Sequence, residues 1–170
     1  MKRAQELDPL MPAWTGWLGA LYMYQGRHEE AIAEARKALE MLPRFPVGLY
    51  VLGESYKAQG NYEEAIAVHE QAAEISPAWR WPLGHTYAVA GRRDEALKIA
   101  AELEKEDRFA LGLAEVYVAL DRKDDAFRCL ETSIEYRHNW VPWLEVFPNL
   151  KPLRDDPRFH SLLRRMNFPE

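Results

Sequence analysis

Small and apolar positions return along this chain at a fixed distance. Gly19, Tyr22, Gly26, Ala31, Ile32, Ala33, Ala38 and Pro43 recur as Gly53, Tyr56, Gly60, Ala65, Ile66, Ala67, Ala72 and Pro77, and every offset is 34 residues. A constant period of this length marks one small unit copied along the chain. The small and aromatic positions in each copy are spaced for two packed antiparallel helices, which predicts an all-α protein.

In the first full copy Pro12 suits a helical first turn, where its missing N–H costs nothing. The helix is predicted from Pro12 to Gln25, with Trp14, Leu18, Leu21 and Tyr22 as its inner face. Gly26 ends it as a left-handed cap requires. Glu29 and Glu30 open the second helix at the positive end of its dipole, and Ala31, Ala35 and Ala38 form a small face that lets two backbones approach. Pro43 and Pro46 stop it. The next copy repeats the plan, with helices over 46–59 and 62–75 around Gly60.

The third copy is shortened. Pro43 to Gly53 is 10 residues but Pro77 to Gly84 is 7, close to one helical turn fewer. Its first helix is expected from about Trp81, leaving Ala78-Trp79-Arg80 as linker, and its second over 93–105. In the fourth copy Ala114, Tyr117, Asp121 and Ala126 stand 30 residues after Gly84, Tyr87, Gly91 and Ala96, predicting helices over 108–120 and 123–137.

The ends do not carry full copies. Lys2-Arg3-Ala4 lines up with Arg36-Lys37-Ala38, and Pro9 lies 34 before Pro43, so residues 2–8 read as the second helix of a unit whose first helix is missing. The plain expectation is the C-terminal piece of a longer protein. From residue 138 the period is lost. Trp140, Trp143, Leu144 and Phe147 form one apolar stripe of a short helix, Asp156-Pro157 starts another, and Phe159, Leu162, Leu163 and Met166 form its stripe. A stack of repeats needs its last face covered, and these stripes can cover it. Trp140 and Trp143 have a second reading, as a contact patch for another subunit. The predicted divisions are 1–9, 10–45, 46–77, 78–106, 107–137 and 138–170.

Composition narrows the function. At 170 residues, 48% hydrophobic and 29% charged, the chain is a folded, soluble protein. A net charge of −5 argues against nucleic acid, which needs clustered Lys and Arg. The pairs Arg92-Arg93 and Arg164-Arg165 read as solvated helix ends. A single cysteine, Cys129, suits a reducing compartment such as the cytoplasm. No apolar run approaches the roughly 18 residues of a membrane span, so no membrane partner is expected. Met1-Lys2-Arg3-Ala4-Gln5-Glu6 has no apolar signal core.

Catalysis finds little support. His28, His69, His85, His138 and His160 stand in no spacing with a second metal ligand, and the glycines are spread rather than clustered as in a phosphate loop. Cys129, beside Phe127 and Leu130, reads as a small buried residue rather than a nucleophile. The expectation is no enzyme, no metal and no cofactor.

The ladders Leu18-Gly19…Tyr22…Gly26…Ala31…Ala38…Pro43 and Leu52-Gly53…Tyr56…Gly60…Ala65…Ala72…Pro77 resemble the tetratricopeptide repeat (TPR), as do Leu83-Gly84…Tyr87…Gly91…Ala96 and, in part, the fourth copy. The likeness covers about residues 2–137. It implies a right-handed α-solenoid of helix-turn-helix units with a C-terminal helical cap. It also implies a non-catalytic scaffold that binds a protein or peptide on a concave surface lined by the first helix of each unit. By register the lining would be Trp17, Ala20 and Tyr24, then Tyr50, Glu54 and Lys57, then Trp81 and His85, then Leu111 and Glu115. The plainer alternative is that these aromatics fill space between helices. Some TPR domains clamp the carboxylate tails of chaperones, but Gly16, Ala20, Val51, Ala78 and Pro82 stand at the clamp positions, so no such binding is expected. The tail Asp155-Asp156-Pro157-Arg158-Phe159…Leu162-Leu163-Arg164-Arg165-Met166 is similar to the ends of bacterial multidomain signalling proteins with a cyclase, kinase or winged-helix regulator upstream. The second functional reading is therefore a regulatory arm of such a protein, or a homo-oligomer formed through the exposed N-terminal helix.

Overall fold

The turns show how the repeat becomes structure. A computed structural model of the protein describes residues 11–166, and among these the regular structure is helical with no strand. The helices are α1 Pro12–Tyr24, α2 His28–Met41, α3 Pro46–Ala58, α4 Tyr62–Ile75, α5 Arg80–Val89, α6 Arg93–Leu103, α7 Ala110–Ala119, α8 Lys123–Glu135 and α9 Pro157–Arg165. Short 3₁₀ turns lie at Pro77–Trp79, Asp107–Phe109, Val141–Trp143 and Pro148–Leu153. The half unit expected at residues 2–8 lies outside the described residues. The chain divides into two compact units, the first ending at Thr86 and the second beginning at Tyr87.

The first helix of each repeat ends in a Schellman motif. The amide of Arg27 donates to the Tyr22 carbonyl at 2.9 Å and that of Gly26 to Met23 at 3.0 Å. Asn61 and Gly60, Arg92 and Gly91, and Arg122 and Asp121 make the same pairs of bonds in their turns. The motif brings the residue after the left-handed position over a residue in the last helical turn. In three of the four turns that residue is arginine and its platform is tyrosine. The guanidinium of Arg27 lies 4.3 Å from the Tyr22 ring, Arg92 4.6 Å from Tyr87 and Arg122 4.6 Å from Tyr117. Each arginine also pairs three residues on with an acid in the first turn of the next helix, Glu30, Glu95 or Asp125. Arg93 donates to the Leu120 carbonyl at 3.1 Å. The pair Arg92-Arg93 is thus engaged with its neighbours rather than simply solvated, whereas Arg164 and Arg165 are exposed.

The left-handed residue is Gly26 at φ 75°, Gly60 at φ 81° and Gly91 at φ 79°, but the fourth turn has Asp121 at φ 58°. A side chain there is strained relative to glycine. Asp121→Gly is expected to stabilise the second unit by about 0.5–1 kcal/mol, read as a higher urea midpoint at unchanged slope. No rise in the midpoint would show that Asp121 makes up the strain elsewhere.

In the first unit α1 packs on α2 and α3, and α3 on α2 and α4. The close approach uses small residues: Ala31, Ala35, Ala38, Ala65 and Ala72 are all fully buried. Leu18, Met23, Leu49, Val51 and Leu52 complete the core. Leu21 departs from the expected inner face and is 45% exposed. The start of the shortened copy also differs. Residues Pro77–Trp79 form a 3₁₀ turn, with the Ser76 hydroxyl accepting from the Ala78 amide, and helix follows directly from Arg80.

In the second unit α7 is buried along almost its whole length, packing on α6, α8 and the Pro148–Leu153 turn. The tail does not form the expected stripe over residues 140–147. Val141–Trp143 is a 3₁₀ turn, Leu144 and Phe147 are buried, and Trp140 and Trp143 are exposed. Pro142, Pro148 and Pro152 deny the segment the amides a regular helix needs. Leu144, Leu150 and Leu153, all fully buried, do the covering expected of the tryptophans. The second stripe holds in part. Phe159 and Leu162 of α9 are buried, Leu163 and Met166 half-buried. The Asp156 carboxylate caps α9 by accepting from the Arg158 amide at 2.9 Å. Arg158 in turn reaches Asp124 at 2.7 Å and lies 4.1 Å over the Phe127 ring, tying α9 to α8.

Candidate functional site

All but Leu111 and Glu115 of the residues expected to line a binding face lie on three helices, α1, α3 and α5, within the first unit. On α1, Trp17, Leu21 and Tyr24 stand at i, i+4 and i+7, and their exposures are 40%, 45% and 40%. On α3, Tyr50, Glu54 and Lys57 have the same spacing. On α5 the residues are Trp81 and His85. The Tyr50 ring is 5.6 Å from Trp81 and 5.8 Å from Trp79, tilted against both, so an aromatic trio joins α3 to the start of α5. Tyr50, Trp79 and Trp81 are half-buried.

One turn further along α3 the face becomes ionic and closes on itself. Lys57 Nζ is 2.7 Å from both oxygens of Glu54 and donates to His85 Nδ1 at 3.0 Å. The side chains of Glu54 and Lys57 are each 9% exposed, and His85 is buried. The lysine of this stripe is therefore engaged by internal partners.

Behind it lies His69 of α4, fully buried. Thr86 Oγ1 donates to the Pro82 carbonyl at 2.8 Å, so it meets His69 Nδ1 at 2.9 Å as an acceptor, which assigns the imidazole proton to Nδ1. Nε2 makes no hydrogen bond, and Glu54 Oε1 lies 3.7 Å away. Burial pushes the His69 imidazole down to about 4. Burial and the neighbouring Lys57 ammonium hold His85 well below the ordinary histidine range. Both rings are neutral at pH 7.

His69 fits because Gly53 has no side chain. A Cβ on Gly53 would stand 2.2 Å from His69 Nε2 and 2.4 Å from Cδ2. In the preceding copy the equivalent pair is Gly19 and Ala35, and the shortened copy has Ala100 in the histidine's place, both alanines buried. A large polar residue in a register that the copies on either side fill with alanine, and the fourth with Leu130, is a signal the sequence carries, and sequence reasoning did not use it. Thr86, Trp79 and Leu21 were missed as well.

The remaining expected positions are more bland. Ala20 is buried in the first unit. Leu111 and Glu115 belong to the second, where both are buried and Glu115 accepts from Asn149 Nδ2 at 2.7 Å. Cys129 is buried and its thiol is pushed up to about 12 by burial, too high for a nucleophile at neutral pH. Among the described residues no group of three or more His, Cys, Asp or Glu could hold a metal ion, and no helix is long and apolar enough to cross a membrane.

Among solved structures the chain is similar to the crystal structure of a thermophilic TPR protein from Thermus thermophilus. The match has 24% identity and a TM-score of 0.65, over 98% of this chain and 87% of that one, and it speaks to the fold. No curated protein matches the chain. Family models of the tetratricopeptide repeat match residues 1–46, 18–78 and 56–110. With the 34-residue ladders and the Schellman turns that close them, these matches place the chain in the tetratricopeptide-repeat family, as an all-α solenoid protein.

Proposed function

We propose that the chain is a non-catalytic interaction module of the cytoplasm that binds a protein or peptide on the face formed by α1, α3 and α5. Tetratricopeptide repeats are in general protein–protein interaction scaffolds. The observation that carries the reading here is the exposed stripe Trp17–Leu21–Tyr24 on α1, with Tyr50 and Trp81 on the helices that follow. Aromatic side chains bring large contact area at low entropic cost and often dominate interfaces. The charges of Glu54 and Lys57 compensate one another inside the face, so recognition would rest on apolar and aromatic anchors.

The test is the double variant Tyr50→Ala/Trp81→Ala, used to capture partners from source-cell lysate beside the native chain. The expected outcome is at least about a tenfold loss of captured partner, as for the removal of two interface anchors, with the circular-dichroism melt kept. A folded double variant with an unchanged partner list would overturn the assignment of this face.

A further inference from the structure

We propose that His69, Glu54, Lys57 and His85 form an acid-operated latch that holds the start of α5 against α3 and α4. The effect on partner binding rests on the reading of the α1–α3–α5 face given above; the latch itself does not.

The geometry is a chain of contacts that crosses between successive repeats. From α3, His69 faces Glu54 at 3.7 Å, the Lys57 ammonium further off and the Tyr50 carbonyl; from α5 it faces Thr86 at 2.9 Å and His85. His85 faces Lys57 at 3.0 Å and His69. Two polar links from α5 into this cluster, Thr86 to His69 and His85 to Lys57, each pass through an imidazole in its neutral form. A proton on His85 Nδ1 would turn the acceptor of the Lys57 bond into a second cation against the ammonium. A proton on His69 Nε2 would charge a ring with no exposed surface, facing the Tyr50 carbonyl and, at 3.7 Å, a Glu54 carboxylate that already holds Lys57. Burial disfavours the charged form of both rings more than these partners favour it. An open form in which α5 lifts away lets both rings reach water.

The sign follows from proton counting. The open form binds protons with the ordinary histidine value near 6.5, whereas in the closed form His69 does so only near 4. Closure is at full strength above about pH 6.5 and weakens as pH falls towards 4. Between pH 7.5 and 5.0, His69 alone shifts the open-to-closed ratio roughly 30-fold. Trp79 and Trp81 ride on the segment released, so opening would dismantle the aromatic trio on Tyr50.

Native-state hydrogen exchange on the full chain at pH 7.5 and 5.0, expressed as protection factors, tests this. Amides of the first turns of α5 and the middle of α4 are expected to lose protection roughly 30-fold, while those of α2, α7 and α8 change by less than about threefold. An equal loss at all helices would mean global acid unfolding and would overturn the latch, as would unchanged protection around His69. His85→Gln keeps an oxygen for the Lys57 ammonium and does not titrate, so its loss on acidification should be smaller. Should that variant not fold, the imidazole titrations of the native chain by NMR serve instead. A His69 that titrates near 6.5 without any change in exchange overturns the proposal. Selective opening with pH-independent partner capture supports the latch and counts against the binding face.

Discussion

Gly53→Ala is expected to lower the stability of the first unit by about 2 kcal/mol. A methyl group at this position would stand 2.2 Å from His69 Nε2, against a ring that has no exposed surface into which to move. Overpacking of this kind costs about 1–3 kcal/mol, and losing the His69–Thr86 hydrogen bond adds about 1 kcal/mol. The better helix propensity of alanine offsets at most about 1 kcal/mol. Gly19→Ala is the control, since its Cβ would meet Val51 Cγ1 at 3.2 Å and the Ala31 carbonyl at 3.3 Å, distances that a small shift relieves. Urea denaturation of Gly53→Ala in the native and His69→Ala backgrounds isolates the pair. The alanine should cost at least about 1 kcal/mol less once the ring is gone. Equal costs in both backgrounds would mean that the histidine yields and the packing argument fails.

The second large effect concerns the tail. Leu150→Ala should destabilise the second unit by about 2–5 kcal/mol, the range for removing a fully buried leucine from a core that cannot collapse. Leu150 lies in the Pro148–Leu153 turn that packs on α7, a helix with an apolar surface nearly all round. Trp143→Ala, at a position 55% exposed, should change the same midpoint by less than about 0.5 kcal/mol. The contrast is the diagnostic. A larger effect at Trp143 than at Leu150 would restore the tryptophans as the covering residues.

Much of this architecture could be read from the chain because a repeat checks itself. Gly26, Gly60 and Gly91 sit where a left-handed turn needs them, and the residues around them make the same bonds in each turn. Buried alanines recur for the same reason: backbones that approach closely leave room only for methyl groups. Reading failed where the period lapses or where one copy departs from the others. In the tail, helical spacing of Trp140, Trp143, Leu144 and Phe147 suggests one face, but prolines turn the segment into 3₁₀ pieces and the spacing loses its meaning. At Leu21 the spacing points to the core, although the helix presents this leucine beside Trp17 and Tyr24. Exposure of a leucine is not something periodicity alone can decide when a helix is apolar on more than one side. The lining expected on α3 and α5 was found together, but Glu54, Lys57 and His85 bond to one another. A pairing between residues 28 positions apart, such as Lys57 with His85, has no local signature.

The arginine clamps of the turns bear on the order in which this chain can assemble. Tyr22 and Arg27, Tyr87 and Arg92, and Tyr117 and Arg122 are each five positions apart in sequence, and the acid follows three later. Loops this short close at small entropic cost and within about a microsecond. The ties from His69 to Thr86 and from Glu115 to Asn149 span 17 and 34 positions, and they need two helices already aligned. Hairpins can therefore form one by one from their own turns, in any order, with the polar ties between helices fastened last. The turn at Gly60 has Asn61 where the others have arginine; there Tyr56 instead receives a bond from Arg36, 20 positions back in the preceding repeat. The tyrosine of that hairpin is braced from the preceding repeat rather than from its own turn, so it gains this partner only when the preceding hairpin is in place.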